Sequence, residues 1–142
     1  MCLRKSKIFE KNYSKPLVAD KDIIVYKTLD HRNPFTGEKV LRTPYQFFPI
    51  NFIDGKCVLD GNLECKPDEW VYVGFHSYVD EKQANMDCIE FPLTKMTKHW
   101  GIIPKGSKYF LGNDGDVVSN KLIIFETRKH FREYRRSKNK FV

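Results

Sequence analysis

The chain has 142 residues and a formal net charge of +7, and 41% of its residues are hydrophobic and 14% aromatic. A chain of this size and composition can bury about two-thirds of its unfolded surface, which excludes a disordered protein and one that needs disulfides to fold. No apolar run approaches the roughly 18 residues of a membrane span, and no apolar stretch follows the N-terminal charges. We therefore expect neither a membrane span nor a secretion signal.

The positive charge is concentrated at the two ends of the sequence. Residues 1–15 hold five lysines and arginines against one glutamate, and residues 128–142 hold seven against one, so the ends carry +4 and +6 and the remaining body carries −3. We predict a basic N-terminal arm over 1–15, one domain over 16–127, and a basic C-terminal helix or tail over 128–142. A polyanionic partner is expected at the ends.

The predicted elements begin after the arm, which lacks apolar periodicity. The β-branched and aromatic run at 22–29 is typical of a strand, and the Asn-Pro and Gly residues of 30–37 predict a loop. Two further strand-like runs at 45–52 and 56–59 flank an Asp-Gly pair, which is a favoured two-residue hairpin turn.

The second half of the sequence predicts more strands and two helices. Residues 80–88 contain helix formers with acids early in the run, and 126–136 predict a basic helix. Turn residues separate the strands, which we place at 70–73, 100–103, 107–111 and 117–125. The total is six to eight short, mainly antiparallel strands with one or two short helices, an α+β class.

The first candidate site is the Gly-Phe-His-Ser-Tyr segment at 74–78, where a strand passes into a helix. His76 could act there as a general base or bind a phosphate-bearing ligand, with Ser77 and Tyr78 donating hydrogen bonds and Tyr26 as a further ligand contact. The alternative is that His76 is a structural residue at a strand end.

A second candidate is the Pro-Lys-Gly-Ser-Lys turn near residue 105. Backbone N–H groups of such a turn, assisted by Lys105 and Lys108, can hold an anion, although the spacing is not that of a P-loop. The alternative is an ordinary hairpin turn with solvated lysines.

The basic C-terminal run interleaves cations with aromatic residues, as nucleic-acid-binding segments do. A helix whose Phe131 and Tyr134 dock on the domain's own core is an equally good interpretation. The candidate nucleic-acid-binding residues are Arg128, Lys129, Arg132, Arg135 and Arg136.

The sequence contains no recognisable metal-binding or nucleophile motif. The four histidines form no i,i+4 pair, and the four cysteines match no zinc or Cys-x-x-Cys spacing, so we expect reduced thiols, no metal, no cofactor and no catalytic residue.

Two groups of segments resemble known proteins. The Gly-Phe-His-Ser-Tyr segment and the Ile-Pro-Lys-Gly-Ser-Lys-Tyr segment at 103–109 resemble small uncharacterised proteins of gut bacteria and their tailed phages, over about residues 18–125. Residues 74–78 and the following helix with Ala84 also resemble the middle of the ADP-ribosyltransferase fold. The late strand departs from that fold, because Asn120 or Lys121 stands where a catalytic glutamate is expected.

The leading functional expectation is a small non-enzymatic binding module of a phage or mobile element, in the host cytoplasm or the virion. It would hold a nucleotide-like ligand or contact a host or virion macromolecule. One alternative, implied by the second resemblance, is an enzyme that holds NAD with His76 and Tyr78. The other is a structural or nucleic-acid-associated phage protein that acts through its basic ends.

Overall fold

The computed structural model describes residues 3–4, 16–31, 49–65, 70–90, 96–112 and 115–139. The elements of these residues are, in chain order, β1 Leu3–Arg4, β2 Leu17–Val18, β3 Ile23–Asp30, β4 Lys56–Asp60, β5 Glu64–Cys65, β6 Trp70–Val73, β7 Phe75–Tyr78, α1 Glu81–Glu90, β8 Met96–Ile103, β9 Lys108–Leu111, β10 Asp116–Ser119, β11 Lys121–Phe125 and α2 Arg128–Asn139.

The strands form two antiparallel sheets, which confirms the predicted α+β class. The large sheet has eight strands in the order β2-β9-β10-β7-β3-β8-β11-β4, and a small sheet has the order β1-β6-β5. No helix among the described residues is long and apolar enough to cross a membrane.

The prediction of a single strand at 117–125 is wrong, because the chain leaves the ladder at Asn120. The backbone N–H of Asn120 donates to the carbonyl oxygen of Lys108 at 3.0 Å, and its own carbonyl oxygen accepts from the N–H of Gly61 at 2.9 Å. Asn120 therefore separates β10 from β11, which lie in different halves of the sheet. With the two-residue strands, this break makes the strands more numerous than predicted.

The large sheet curls around one apolar core. Its buried cluster includes Val25 and Leu29 from the central strand β3, and it is packed by Tyr109 from β9 and by Cys57 from β4, which lie toward opposite ends of the strand order. Residues from both ends can meet only if this face is concave. We call it the inner face.

Both helices lie on the outer face. Glu81 of α1 forms an ion pair with Lys98 of β8, and Phe131 of α2 is buried against Trp100 and Phe125. The predicted C-terminal helix is thus confirmed, with its aromatic residues docked on the sheet. Helix α2 begins after Thr127, whose hydroxyl accepts the backbone N–H of His130 as an N-cap does.

The Asp-Gly turn is confirmed. Asp54 and Gly55 have φ angles of +54° and +77°, and Ile53 and Lys56 exchange two backbone hydrogen bonds of 2.9 and 3.3 Å. Positive φ at both central residues is the geometry of a tight hairpin turn. Residues 32–37 of the loop predicted at 30–37 lie outside the described residues, and so do residues 45–48 of the strand predicted at 45–52.

Candidate functional site

A groove with arginine walls lies between α2 and the outer face of the sheet. Its volume is about 470 Å³. We call it the arginine groove, and its lining residues are Ile24, Tyr26, Trp100, Arg128, Phe131, Arg132, Arg135 and Arg136.

The floor of the groove is aromatic. Tyr26 and Trp100 are paired across β3 and β8, and their ring centroids lie 4.9 Å apart. Phe131 stacks on Trp100 from above at 5.2 Å, with an angle of 30° between the ring planes. Trp100 and Tyr26 are only partly buried, so the floor presents aromatic surface to the groove.

The walls of the groove carry four guanidinium groups. Residues 128, 132, 135 and 136 recur at helical spacing and are all exposed, so one face of α2 presents them together. The Cζ atom of Arg128 lies 5.0 Å from the Trp100 ring centroid, and that of Arg135 lies 5.8 Å from the Phe131 centroid. No ion pair joins these four arginines to another described residue, and no acidic side chain lines the groove.

Helix α2 carries more positive charge than its own acidic residue balances. It holds six cationic residues and one glutamate, and its first turn has no acid. Like charges at i,i+4 and cations at the N-terminal end of the helix dipole both destabilise a helix. A bound anion would relieve both effects.

Tyr26 adds a hydrogen-bond donor to the groove. Burial raises the pKa of the Tyr26 phenol, and the nearby Glu81 carboxylate raises it further. The hydroxyl therefore keeps its proton at neutral pH, and it can donate to a phosphate oxygen.

A second cavity of about 450 Å³ adjoins the arginine groove and shares Arg135 with it. We call it the lysine cavity, and its lining residues are Asp20, Lys21, Asp22, Lys105, Tyr134, Arg135 and Lys138.

The turn at Lys105, which the sequence predicts to bind an anion, binds the Asp22 carboxylate of the same chain. One carboxylate oxygen of Asp22 accepts the backbone N–H of Lys105 at 2.8 Å, and the other accepts the Lys138 ammonium at 3.0 Å. The N–H of Gly106 donates to the carbonyl oxygen of Ala19. Burial alone would raise the pKa of Asp22, but these two hydrogen bonds and the positive charges of Lys138 and Arg135 together outweigh burial. The pKa is therefore lowered, and Asp22 is ionised at neutral pH.

The residues of the 74–78 segment are divided between the two faces of the sheet. His76 and Tyr78 lie side by side on the outer face with ring centroids 4.9 Å apart, and His76 Nε2 is 3.9 Å from a carboxylate oxygen of Asp116. Ser77 between them is fully buried on the inner face. Strand alternation thus keeps Ser77 away from its two neighbours.

The other predicted residues are distributed as follows. Tyr26 joins the four arginines in the arginine groove, and Lys105 lines the lysine cavity. Lys108 lines a third cavity with Asn120, near the end of β4. Lys129 lies on another face of α2, where its ammonium is 3.9 Å from Glu133.

A partly buried chain of hydrogen bonds through two histidines lies on the inner face near the start of β8. His99 Nδ1 lies 3.0 Å from the carbonyl oxygen of Phe125 and must donate to it, so neutral His99 accepts at Nε2 from the Thr97 hydroxyl at 2.8 Å. The Thr97 oxygen then accepts from His31 Nε2 at 2.7 Å. Burial lowers the pKa of His99, and this outweighs the hydrogen bond to Phe125, which raises it.

We predict that His99 makes the fold less stable in mild acid. Because its pKa is lowered in the folded state, the unfolded chain binds more protons, and the free energy of unfolding should rise with pH up to about 6.5 and level off above it. Urea unfolding of the wild type and of His99→Gln between pH 5 and 8 measures this slope. The variant should lose part of it, and an unchanged slope in the variant would contradict the assignment.

Metal and thiol chemistry find little support in the described part of the chain. No group of three or more His, Cys, Asp or Glu residues there could hold a metal ion. Burial raises the pKa of the Cys57 thiol, which keeps it protonated and a weak nucleophile.

The chain matches no family model, no curated protein and no solved structure at a significant level of similarity. The two resemblances noted from the sequence therefore stay hypotheses.

Sequence reasoning missed two residues of this region. Trp100 forms the centre of the groove floor, and a tryptophan two residues from a buried isoleucine in one strand was a usable signal that both share a face. Asp22 was read as the start of a strand, and nothing local shows that its carboxylate meets residues 105 and 138.

Proposed function

We propose that the protein is a non-enzymatic binding module whose arginine groove holds the nucleotide units of a phosphate-bearing ligand. The observation that carries this proposal is the set of four guanidinium groups facing an aromatic floor, with no acidic side chain among the described residues of the lining. In this proposal the ligand binds beside the basic C-terminal helix, which forms one side of the groove and supplies the arginines.

The chemistry of the groove suits a nucleotide. Planar guanidinium groups bind phosphate oxygens in a bidentate manner, and bases stack on aromatic rings whatever their sequence. The volume of about 470 Å³ is that of a small-ligand site. Arginine stays protonated at neutral pH, so these four side chains can bind phosphate but cannot act as a general acid or base.

The phage or mobile-element setting is part of the same proposal. A protein that binds nucleic acid or nucleotides would act in the host cytoplasm or the virion, and the phage resemblance noted from residues 74–78 and 103–109 supports that setting. The proposal for the groove itself does not depend on it.

We predict that Arg128→Gln/Arg132→Gln weakens binding of a fluorescein-labelled single-stranded hexanucleotide by at least about tenfold, because each arginine loses a charge-assisted hydrogen bond to phosphate. The negative slope of the logarithm of the association constant against log salt should also become shallower by about 1.4, since each phosphate contact contributes about −0.7. Fluorescence anisotropy between 25 and 200 mM salt measures both quantities.

The matched control is Lys82→Gln/Lys121→Gln, which removes two charges from exposed positions that do not line the groove. It should change the affinity much less than the arginine pair. If both double variants lose the same affinity, or if the wild type does not bind the hexanucleotide, the proposed function is wrong.

A further inference from the structure

We propose that the arginine groove and the lysine cavity form one continuous track, and that its occupant is a strand of single-stranded nucleic acid rather than a free nucleotide. This inference rests on the proposed function and deepens it. It assigns a role to the lysine cavity and to Asp22, which the groove alone does not explain.

The two cavities are joined along helix α2. Arg135 lines both of them, the arginine groove begins beside Arg128, and the lysine cavity ends beside Lys138. At about 1.5 Å per residue, the helix covers about 15 Å between those two positions. A stacked strand advances about 3.4 Å per phosphate, so the track has the length of about four nucleotides.

The charges along the track grade from strongly to weakly positive. The arginine groove has four cations and no acid, whereas the lysine cavity has four cations, Lys21, Lys105, Arg135 and Lys138, against two aspartates. A single phosphate therefore prefers the groove. A second or third phosphate of the same strand is brought to the lysine cavity at a high effective concentration, so the weaker subsite is filled only by a longer ligand.

Asp22 competes with the strand for the lysine cavity. Its carboxylate takes the backbone N–H of Lys105 and the ammonium of Lys138, two donors that suit a phosphate. Asp22 thus acts as an internal anion, and its two oxygens lie where phosphate oxygens would otherwise bind. A phosphate that enters the cavity must draw Lys138 away from Asp22, which lowers the affinity for a strand without affecting the groove.

The aromatic floor favours a single strand over a duplex. Phe131 and Arg128 already contact Trp100, so only the uncovered parts of Tyr26 and Trp100 face the groove. These parts lie at the bottom of a groove between a helix and a sheet, where they can meet only a base whose face is free. The bases of a duplex are stacked on one another, whereas those of a single strand can stack on protein rings.

The test measures binding as a function of strand length. Labelled oligothymidylates of one, two, four and six nucleotides are titrated by anisotropy in low salt against the wild type and Lys105→Gln/Lys138→Gln. The charge-matched control is Lys82→Gln/Lys121→Gln, at exposed positions that line neither cavity. Wild-type affinity should rise up to about four nucleotides and then level off. The lysine variant should bind the hexanucleotide at least about fivefold more weakly, with unchanged affinity for the dinucleotide.

Asp22→Asn provides a second, opposite measurement. The amide oxygen of asparagine can still accept the Lys105 N–H, whereas the charge that holds Lys138 is lost. Hexanucleotide affinity should therefore rise about threefold. The charge-matched variant Asp60→Asn, at an exposed position of β4 that lines neither cavity, should leave it unchanged. Thermal melting of each variant verifies that the fold is intact before binding is measured.

The outcomes separate the two proposals. Affinity that does not depend on length, a lysine variant that behaves like its control, or equal binding of a hairpin duplex would overturn the track while leaving the groove in place. Failure of the arginine variant to weaken hexanucleotide binding would overturn the proposed function itself. Parallel titration with oligouridylates tells whether the strand is RNA or DNA, and binding of either supports the track.

Discussion

Phe131→Ala is expected to lower the free energy of unfolding by about 3–5 kcal/mol, the usual cost of truncating a buried phenylalanine. Phe131 is 5% exposed and lies between Trp100 and Phe125, with ring centroids 5.2 and 5.5 Å away. Its removal leaves a cavity below the middle of α2. The helix has six cations and an unfavourable charge pattern of its own, so it depends on this packing for its stability.

Urea unfolding followed by far-ultraviolet circular dichroism measures the loss, and Phe131→Leu serves as the control that keeps most of the volume. The leucine variant should lose less than half as much. Since Phe131 also supports Trp100, the alanine variant should weaken hexanucleotide binding even where it is fully folded. A loss of under 1 kcal/mol would show that α2 is not held by this contact.

Gly55→Ala is the second large effect, with an expected loss of about 2 kcal/mol. Gly55 has a φ of +77°, which costs an L-residue about 1 kcal/mol or more. In addition, a Cβ there would lie 2.1 Å from the ring of His130, and Thr127 holds that ring by a hydrogen bond. Gly55 also joins the Asp-Gly turn to the residues just before α2, because its carbonyl oxygen accepts the N–H of Glu126.

Gly106→Ala separates the two costs. Gly106 has a similar φ of +89°, but no atom lies within 4 Å of the position that its Cβ would take. It should therefore pay only the backbone cost, and the difference between the two variants should report the collision with His130. Adding His130→Ala to Gly55→Ala should recover the part of the stability that the collision with His130 costs. Equal losses in the free energy of unfolding for Gly55→Ala and Gly106→Ala would contradict the structure.

The sequence predicted those features that depend on neighbouring residues. The Asp-Gly turn follows from two residues that accept positive φ, and the strand of β3 follows from its run of β-branched and aromatic side chains. The C-terminal helix and its row of arginines follow from helical spacing alone, so four of the five candidate nucleic-acid-binding residues do share one cavity. Each of these features depends on residues that are close together in the sequence.

Strand breaks and faces were harder to predict. The end of β10 depends on Asn120 bonding to Lys108 and Gly61, which lie far away in sequence. Proximity in sequence predicts that residues 74–78 form one cluster, yet a strand turns alternate side chains to opposite faces, and Ser77 is buried on the inner one. Grouping residues by proximity in sequence fails inside a strand for this reason.

Composition and local spacing thus determined that this is an α+β protein with a cationic C-terminal helix, because charge and periodicity are properties of the chain itself. Only the tertiary structure decided what that helix faces. The register of β3 against β8 puts Tyr26 opposite Trp100, and the return of the chain at residue 105 brings Lys105 to Asp22. Pairing between strands is set by the whole sheet, so no local pattern could place an aromatic floor beneath the arginines or a carboxylate beside them.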